Sequence, residues 1–420
     1  MREVHRPLVL ARFLTRAGDH GWGLAVPLAL MIAFPGTFRA IAAYYLVTRL
    51  AVVIAMPLIG RWIDESDRLG IVRVGIGLQL VGVTSAATLF SALGPQAPAW
   101  GLPALIASGV VAQVGATIMG VVLPGRWVPA LCTGEGLSEI NSRLKQSDLI
   151  SEVASPVAAG SLMALASTAA APYRGFHVVA LANLVSFALE YSLLARVYRA
   201  NPELALRTRP DAAPPGSAPL SSGAVRTFLA QPTLPVMLAY GLLWFTVLTP
   251  HGALLTSFLK SEWHLDERWL GLVRGIGALC GLAPTLFFAR VRAALGTRVT
   301  AATCIAVQFA ALVVACLALS AGTTGSATVF VVALMVSRFG LYGFVLAELQ
   351  IFQERVPDAV RGRVGAAALA YDNALGLAVY AFALVVSDPA SFPVLAWASC
   401  AAVGLGAALV FIWAVRTRGA

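Results

Sequence analysis

Residues 38–70 read FRAIAAYYLVTRLAVVIAMPLIGRWIDESDRLG. Between Arg39 and Gly60 the only charge is Arg49, and the next ten positions, 61–70, then hold five charges. A helix rises about 1.5 Å per residue, so the apolar run is long enough to cross a hydrocarbon core about 30 Å thick. The run therefore predicts a membrane-spanning helix, and the loop its exit into water. Working outward, the same pattern recurs at 8–33, 71–94, 101–125, 147–168, 176–197, 233–257, 269–290, 299–320, 326–350, 364–387 and 391–415. The 420-residue chain is 59% hydrophobic and 12% charged, against about 45–50% and 25% in soluble domains. Mean hydropathy is +0.81. These values exclude a cytosolic enzyme, a disordered scaffold and a nucleic-acid-binding domain, despite a net charge of +10. A β-barrel would show short alternating segments instead. The expectation is an all-α polytopic membrane protein with 12 transmembrane helices.

Basic residues orient it. With the N-terminus in the cytoplasm, 22 of the 30 Lys and Arg fall in inside loops, 4 outside and 4 within spans. By the positive-inside rule both termini are cytoplasmic, which in a bacterium means a multi-pass inner-membrane protein. The short basic opening MREVHRP predicts a retained first helix rather than a cleaved leader. Cys132, Cys280, Cys304, Cys316 and Cys400 have no CxxC spacing and read as structural thiols. Midway lies RPDAAPPGSAPLSSG, a Pro/Ser/Ala linker with no apolar period. The domain reading is thus a six-helix half at 1–198, a cytoplasmic linker at 199–230 and a second six-helix half at 231–420. This layout resembles the major facilitator superfamily fold, whose two halves rock about a central site.

The loop after span 2 adds a motif. Gly60, Asp64 and Arg68 match the superfamily's loop pattern of Gly, an acid four residues on, and Arg four after that. The expectation is a cytoplasmic gate. Gly60 lets two helices approach, Asp64 caps a neighbouring helix N-terminus, and Arg68 bridges to an acid. The counterpart loop, 290–298, reads RVRAALGTR and lacks the acid.

Charged residues inside spans are costly and mark function. Asp19 sits mid-span in TRAGDHGW, with Thr15, Asp19 and Trp22 on one helix face. Gly18 and Gly21 flank it and would let the helix bend or unwind. Span 6 presents Asn183, Ser186, Phe187 and Glu190 at i, i+3, i+4, i+7, and Gln79 lies inside span 3 as an amide that needs a partner. If these faces meet, they make a pocket of oxygens suited to a hard divalent cation. The competing reading is interhelical hydrogen bonding that glues spans together. In the second half, Thr249-Pro250-His251-Gly252 would break span 7 and expose an imidazole. Asp372 on span 11 is that half's deep acid and a candidate partner for His251. Glu348 near the end of span 10 reads as a gate or capping residue.

Residues 13–75, FLTRAGDHGWGL through RLGIVRVG, and 182–205, ANLVSFALEYSLLARVYRANPELA, resemble the ferroportin family of iron exporters. Weaker likenesses at Arg226–Phe228, Leu243–Leu248, Arg338–Leu341 and Asp388–Phe392 extend the resemblance over nearly the whole chain. The resemblance implies that Asp19, Gln79, Asn183 and Glu190 form the family's first-half cation site, with Thr15, Ser186 and Phe187 added as in bacterial relatives. It also supplies the contact between spans 1 and 6 that spacing leaves open. The departures are equally plain. Gly23 stands where animal members have a His. Gly252 stands at the position of the second-half Cys ligand, and Val379 or Tyr380 at that of its His, so His251 is the candidate replacement.

The expected function is therefore secondary active export of a divalent metal cation by alternating access. Fe2+ is the first choice, with Co2+, Ni2+ and Mn2+ open and protons as the candidate exchange ion. The metal is cargo; no cofactor, no nucleic acid and a monomer in the bilayer are expected. A drug or metabolite exporter of the same fold is the first alternative, and it calls for an aromatic cavity of low charge. A membrane-embedded enzyme using Asp19 and His20 is the second; no DDxxD or HExxH motif supports it.

Overall fold

The computed structural model describes residues 2–93, 97–132, 134–205, 222–322 and 325–417, except the side chains of 2–5, 64, 134, 135, 138, 203, 205 and 222. Among these no strand is present, and helices carry nearly all of the chain. The first seven are α1 (Arg2–Ala33), α2 (Arg39–Glu65), α3 (Arg68–Ala92), α4 (Gly101–Val122), α5 (Val128–Leu131), α6 (Gly134–Ala166) and α7 (Arg174–Ala200). After the linker come α8 (Ser222–Leu229), α9 (Leu234–Leu242), α10 (Ala253–Ser261) and α11 (Glu267–Ala321). The last three are α12 (Ser326–Arg355), α13 (Asp358–Val385) and α14 (Phe392–Arg416). A single π turn, Leu123–Trp127, joins α4 to α5.

Nine helices among the described residues are long and apolar enough to cross a bilayer. The 55-residue α11 counts once, although Gly296 interrupts it with φ 76°, ψ 154°. That left-handed φ is open to glycine and strained for other residues. α1 is outside the nine because Arg12, Arg16, Asp19 and His20 dilute its apolar character. Span 7 is divided between the nine-residue α9 and α10. Large apolar side chains point outward: Leu165 is 74% exposed, Leu286 70% and Val385 79%. Such a surface suits lipid, and the chain is an integral membrane protein.

Two compact units emerge, Met1–Asp211 with Leu259–Gly275, and Ala212–Phe258 with Ile276–Ala420. Residues 206–221 of the expected linker lie outside the described residues. In the first unit α1 packs against α6 and α7, and α3 against α4 and α7. α1 runs unbroken through Gly18 and Gly21, contrary to the expected unwinding. Both glycines serve close packing instead: a Cβ on Gly21 would touch Ala159 of α6 at 3.5 Å, and one on Gly18 would strike Asn183 of α7. The α3–α4 seam is tighter still. A Cβ at Gly115 would lie 2.5 Å from the Gly75 carbonyl oxygen and 2.8 Å from the Gln79 nitrogen. Small residues let backbones meet this way where lipid removes the hydrophobic drive for association.

In the second unit α9 packs on α12, α13 and α14. The expected break in span 7 is present and begins earlier than Thr249, helix giving way after Leu242. Side chains and local turns satisfy the freed backbone. Val247 N donates to Ser399 Oγ (3.0 Å), Leu248 N to Thr246 Oγ1 (3.0 Å), and Gly252 N to the Thr249 carbonyl (2.8 Å). All five cysteines are free thiols; Cys132, Cys316 and Cys400 are buried, Cys280 and Cys304 half-buried.

Candidate cation site

The α1–α7 contact is made at the positions the sequence singled out. Asn183 donates its Nδ2 to the Val179 carbonyl one turn back (3.1 Å), which leaves Oδ1 turned towards Gly18 of α1. A glycine is needed there, because a Cβ would collide with that oxygen. Beside it the first unit holds a partly open cavity of about 500 Å3. Asp19 of α1, Gln79 of α3, and Asn183 and Phe187 of α7 all line it, with Trp22, Tyr44 and Tyr45 among the aromatic walls. Gln79 is 4% exposed, and its Oε1 has no hydrogen-bond partner. A buried amide oxygen left unpaired costs about 1–3 kcal/mol, and a cation would satisfy it. Asp19, Asn183 and Gln79 thus offer three acceptor oxygens, the donor type that hard divalent ions take.

The other three expected ligands do not line the cavity. Thr15 Oγ1 donates to Glu190 Oε1 and also reaches the Ala11 carbonyl at 3.0 Å. Ser186 Oγ donates to the Leu14 carbonyl at 3.3 Å. Hydroxyls on helices readily bond to backbone carbonyls, and here that competition wins. Glu190 is 1% exposed, and its Oε2 is unpartnered. It forms a second, closed layer behind the cavity rather than part of the wall. Among the described residues no three His, Cys, Asp or Glu side chains gather to hold an ion, so the pocket relies on amides beside a lone carboxylate.

Sequence reading overlooked an ionic cluster next to Asp19. Arg12 grips Asp148 of α6 with both ends of its fork, Nε to Oδ1 at 2.7 Å and Nη2 to Oδ2 at 2.9 Å. Its Nη1 also donates to the Gly120 carbonyl at 3.2 Å. Arg16 lies 3.5 Å from Asp19 Oδ2 and 3.7 Å from Asp148 Oδ1. The signal was available: Arg12, Arg16 and Asp19 are spaced i, i+4, i+7 and share a face.

Among the described residues the gate differs from expectation at Gly60. A Cβ on Gly60 would meet no atom within 4 Å, so this glycine mediates no close approach here. Arg68 is buried, and its Nη1 donates to the Leu204 carbonyl oxygen (2.7 Å). The Asp64 side chain lies outside the described residues. The capping acid that is visible is Asp67. It accepts from Gly70 N at 2.9 Å and from the Tyr198 hydroxyl at 2.6 Å. Partial desolvation pushes its carboxyl up, but the bonds from Tyr198 and from the backbone of Gly70, Leu69 and Arg68 outweigh it and hold the group below the usual carboxylate range.

In the second unit His251 is exposed on the loop before α10, whereas Asp372 is buried. Asp372 Oδ1 has no hydrogen-bond partner and faces Gly241 at the end of α9, 2.9 Å from where a Cβ would stand. The acid in its electrostatic neighbourhood is Glu348.

A cavity with polar side chains on its wall, set among the helices of an all-helical membrane protein, is the arrangement a transporter needs. The family model described as Ferroportin1 (FPN1) matches residues 2–214 and 220–403. The ferreportin of Bdellovibrio bacteriovorus is 32% identical over 422 residues, covering 98% of this chain and 95% of that one. A crystal structure of a bacterial homologue of the iron transporter ferroportin, in an inward-facing state, superposes with a TM-score of 0.87 at 31% identity and 99% coverage of both chains. A bacterial metal transporter superposes at 0.81, with 30% identity and 99% coverage of each chain. The chain belongs to the ferroportin family, whose members are membrane transporters and not enzymes.

Proposed function

We propose that this protein exports a divalent metal cation, Fe2+ first among the candidates, by alternating access. Twelve crossings follow if α1, the α9–α10 pair and the two arms of α11 on either side of Gly296 are each counted as spans. The halves are then 1–198 and 231–420, joined by a cytoplasmic linker, in a monomer with both termini inside and the inner membrane as its site. One observation carries the reading: in a ferroportin-family chain, Asp19, Gln79 and Asn183 line one cavity among the helices of the first unit. Glu190, buried with its Oε2 unpartnered, is the carboxylate in need of a compensating positive charge, and protons are the proposed exchange ion. The aromatic walls also fit a small organic substrate, but a charged floor and an orphaned amide oxygen favour an ion.

Calorimetry with Co2+ as the probe tests the assignment. Asp19→Ala should abolish Co2+ binding while the protein stays monodisperse. Wild-type affinity in that variant would remove Asp19 from the site. Uptake of a metal panel into proteoliposomes then ranks Fe2+, Co2+, Ni2+ and Mn2+.

A further inference from the structure

The two arginines of α1 hold the same acid in different ways. Arg12 is 6% exposed and bound to Asp148 through two short, charge-assisted bonds. That geometry is fixed. Arg16, one turn on, holds nothing tightly. It stands 3.5 Å from Asp19 and 3.7 Å from Asp148, its Nε is buried without a hydrogen-bond partner, and its side chain is 36% exposed and lines the cavity. Arg12 keeps Asp148 in place, and Asp148 Oδ1 still faces Arg16. A second anchorage for the Arg16 guanidinium is thus already built.

Among the described residues Asp19 is the only carboxylate lining the cavity, and it already has a cation beside it. A guanidinium and a metal ion compete for the same oxygens. We propose that Arg16 is a specificity-determining residue, a tethered cation that neutralises Asp19 in the unloaded site and passes to Asp148 when the metal enters. The inference rests on the reading of Asp19 as a ligand. Its consequence is selectivity by charge. A monovalent ion that displaces Arg16 leaves Asp19 with no more positive charge than before. A divalent ion brings one charge more, so only a divalent ion gains electrostatically from the exchange.

The test uses purified full-length protein, calorimetry with CoCl2, and buffers whose monovalent cation is either Na+ or the bulky N-methylglucamine. Arg16→Met should tighten Co2+ binding about tenfold, the effect of removing roughly one half-buried ion pair from the competition. It should also make the Co2+ isotherm weaken in Na+, whereas wild type is insensitive to that swap. Arg16→Lys, which keeps the charge, should stay within about twofold of wild type. Arg16→Gln serves if the Met variant does not fold. Unchanged or weaker Co2+ binding in the neutral variants, with Asp19→Ala still abolishing it, overturns the inference and leaves the site standing. Tightening in Arg16→Lys equal to that in Arg16→Met would also overturn it, since bulk rather than charge would then be the cause. Wild-type binding in Asp19→Ala would instead mean that the underlying site reading has failed.

Discussion

Two glutamines occupy matching stations in the two halves. In the first, Gly115 of α4 seats against the Gly75 carbonyl and the Gln79 nitrogen of α3. In the second, Gly340 of α12 seats against the Cys304 carbonyl and the Gln308 nitrogen of α11, each 2.6 Å from where a Cβ would stand. In each case the contacts are the glutamine's nitrogen and the carbonyl four residues before it. Gln79 and Gln308 are 4% and 5% exposed, and both leave Oε1 without a partner. The seam between paired helices is therefore repeated, as expected of a transporter built from two related halves. The charge beside it is not. Gln79 shares its cavity with Asp19 on the unbroken α1. Gln308 lies 229 positions after Gln79, and the same offset carries position 19 to Leu248, in the unwound stretch between α9 and α10. One half supplies a carboxylate on a rigid helix, the other a bent backbone. The scaffold is shared, and under the proposed function the ion chemistry belongs to the first half.

The sharpest way to break this comparison is at the seams. Gly115→Ala and Gly340→Ala should each cost about 1–3 kcal/mol, since backbone atoms must move to admit the methyl group. Thermal unfolding in detergent reads this loss. The two should part company in calorimetry: Gly115→Ala loses Co2+ affinity because Gln79 is displaced, and Gly340→Ala keeps it. Equal losses of affinity would show that the second half contributes to the ion site. A smaller effect is expected at the glutamines themselves. Gln79→Leu should weaken Co2+ binding about tenfold while leaving the melting temperature equal or higher, because removing an unpaired buried oxygen is neutral or stabilising. Gln308→Leu should show the thermal effect alone.

The smallest effect belongs to the loops. Asp67 caps α3, whereas Arg298 in the counterpart loop donates to the Thr417 carbonyl and needs no acid. Asp67→Ala should cost about 1 kcal/mol, as lost N-caps do. The Asp67 carboxyl is held low in the folded protein, so its contribution is complete above the ordinary carboxylate range near pH 4 and fades as pH falls through the depressed folded value. Melting temperature measured against pH should therefore lose part of its acid-side decline in Asp67→Ala.

Hydropathy made the spans legible, because lipid imposes the same length on every crossing. It also exposed Asp19, Gln79 and Asn183, since polarity inside a span stands out against its surroundings, whereas Phe187 joined the site only with the resemblance. What it could not give was how hydroxyls divide their loyalties. Thr15 and Ser186 have the right spacing for ligands, yet they bond to Glu190 and to the Leu14 carbonyl. Those choices depend on rotamers set by neighbouring helices. Asp148 escaped notice because it sits at the polar edge of its span among Lys145, Ser147 and Glu152, where a charge looks ordinary. The early end of α9 was hidden too. Its freed Val247 nitrogen is met by Ser399, 152 residues away, a compensation that no local pattern records.

The position of the thiols has a consequence for wear. Ferrous iron with peroxide yields oxidants that attack sulfur near the metal, and cysteines on its route would climb the ladder from sulfenic to sulfonic acid. None of the five cysteines lines the first-half cavity. Cys316 and Cys400 are buried in the second unit and face each other there. Under the proposed function, a carrier that keeps its sulfur out of the loading chamber spares its thiols on each passage and leaves Trp22, Tyr44 and Tyr45 as the oxidisable side chains of the wall.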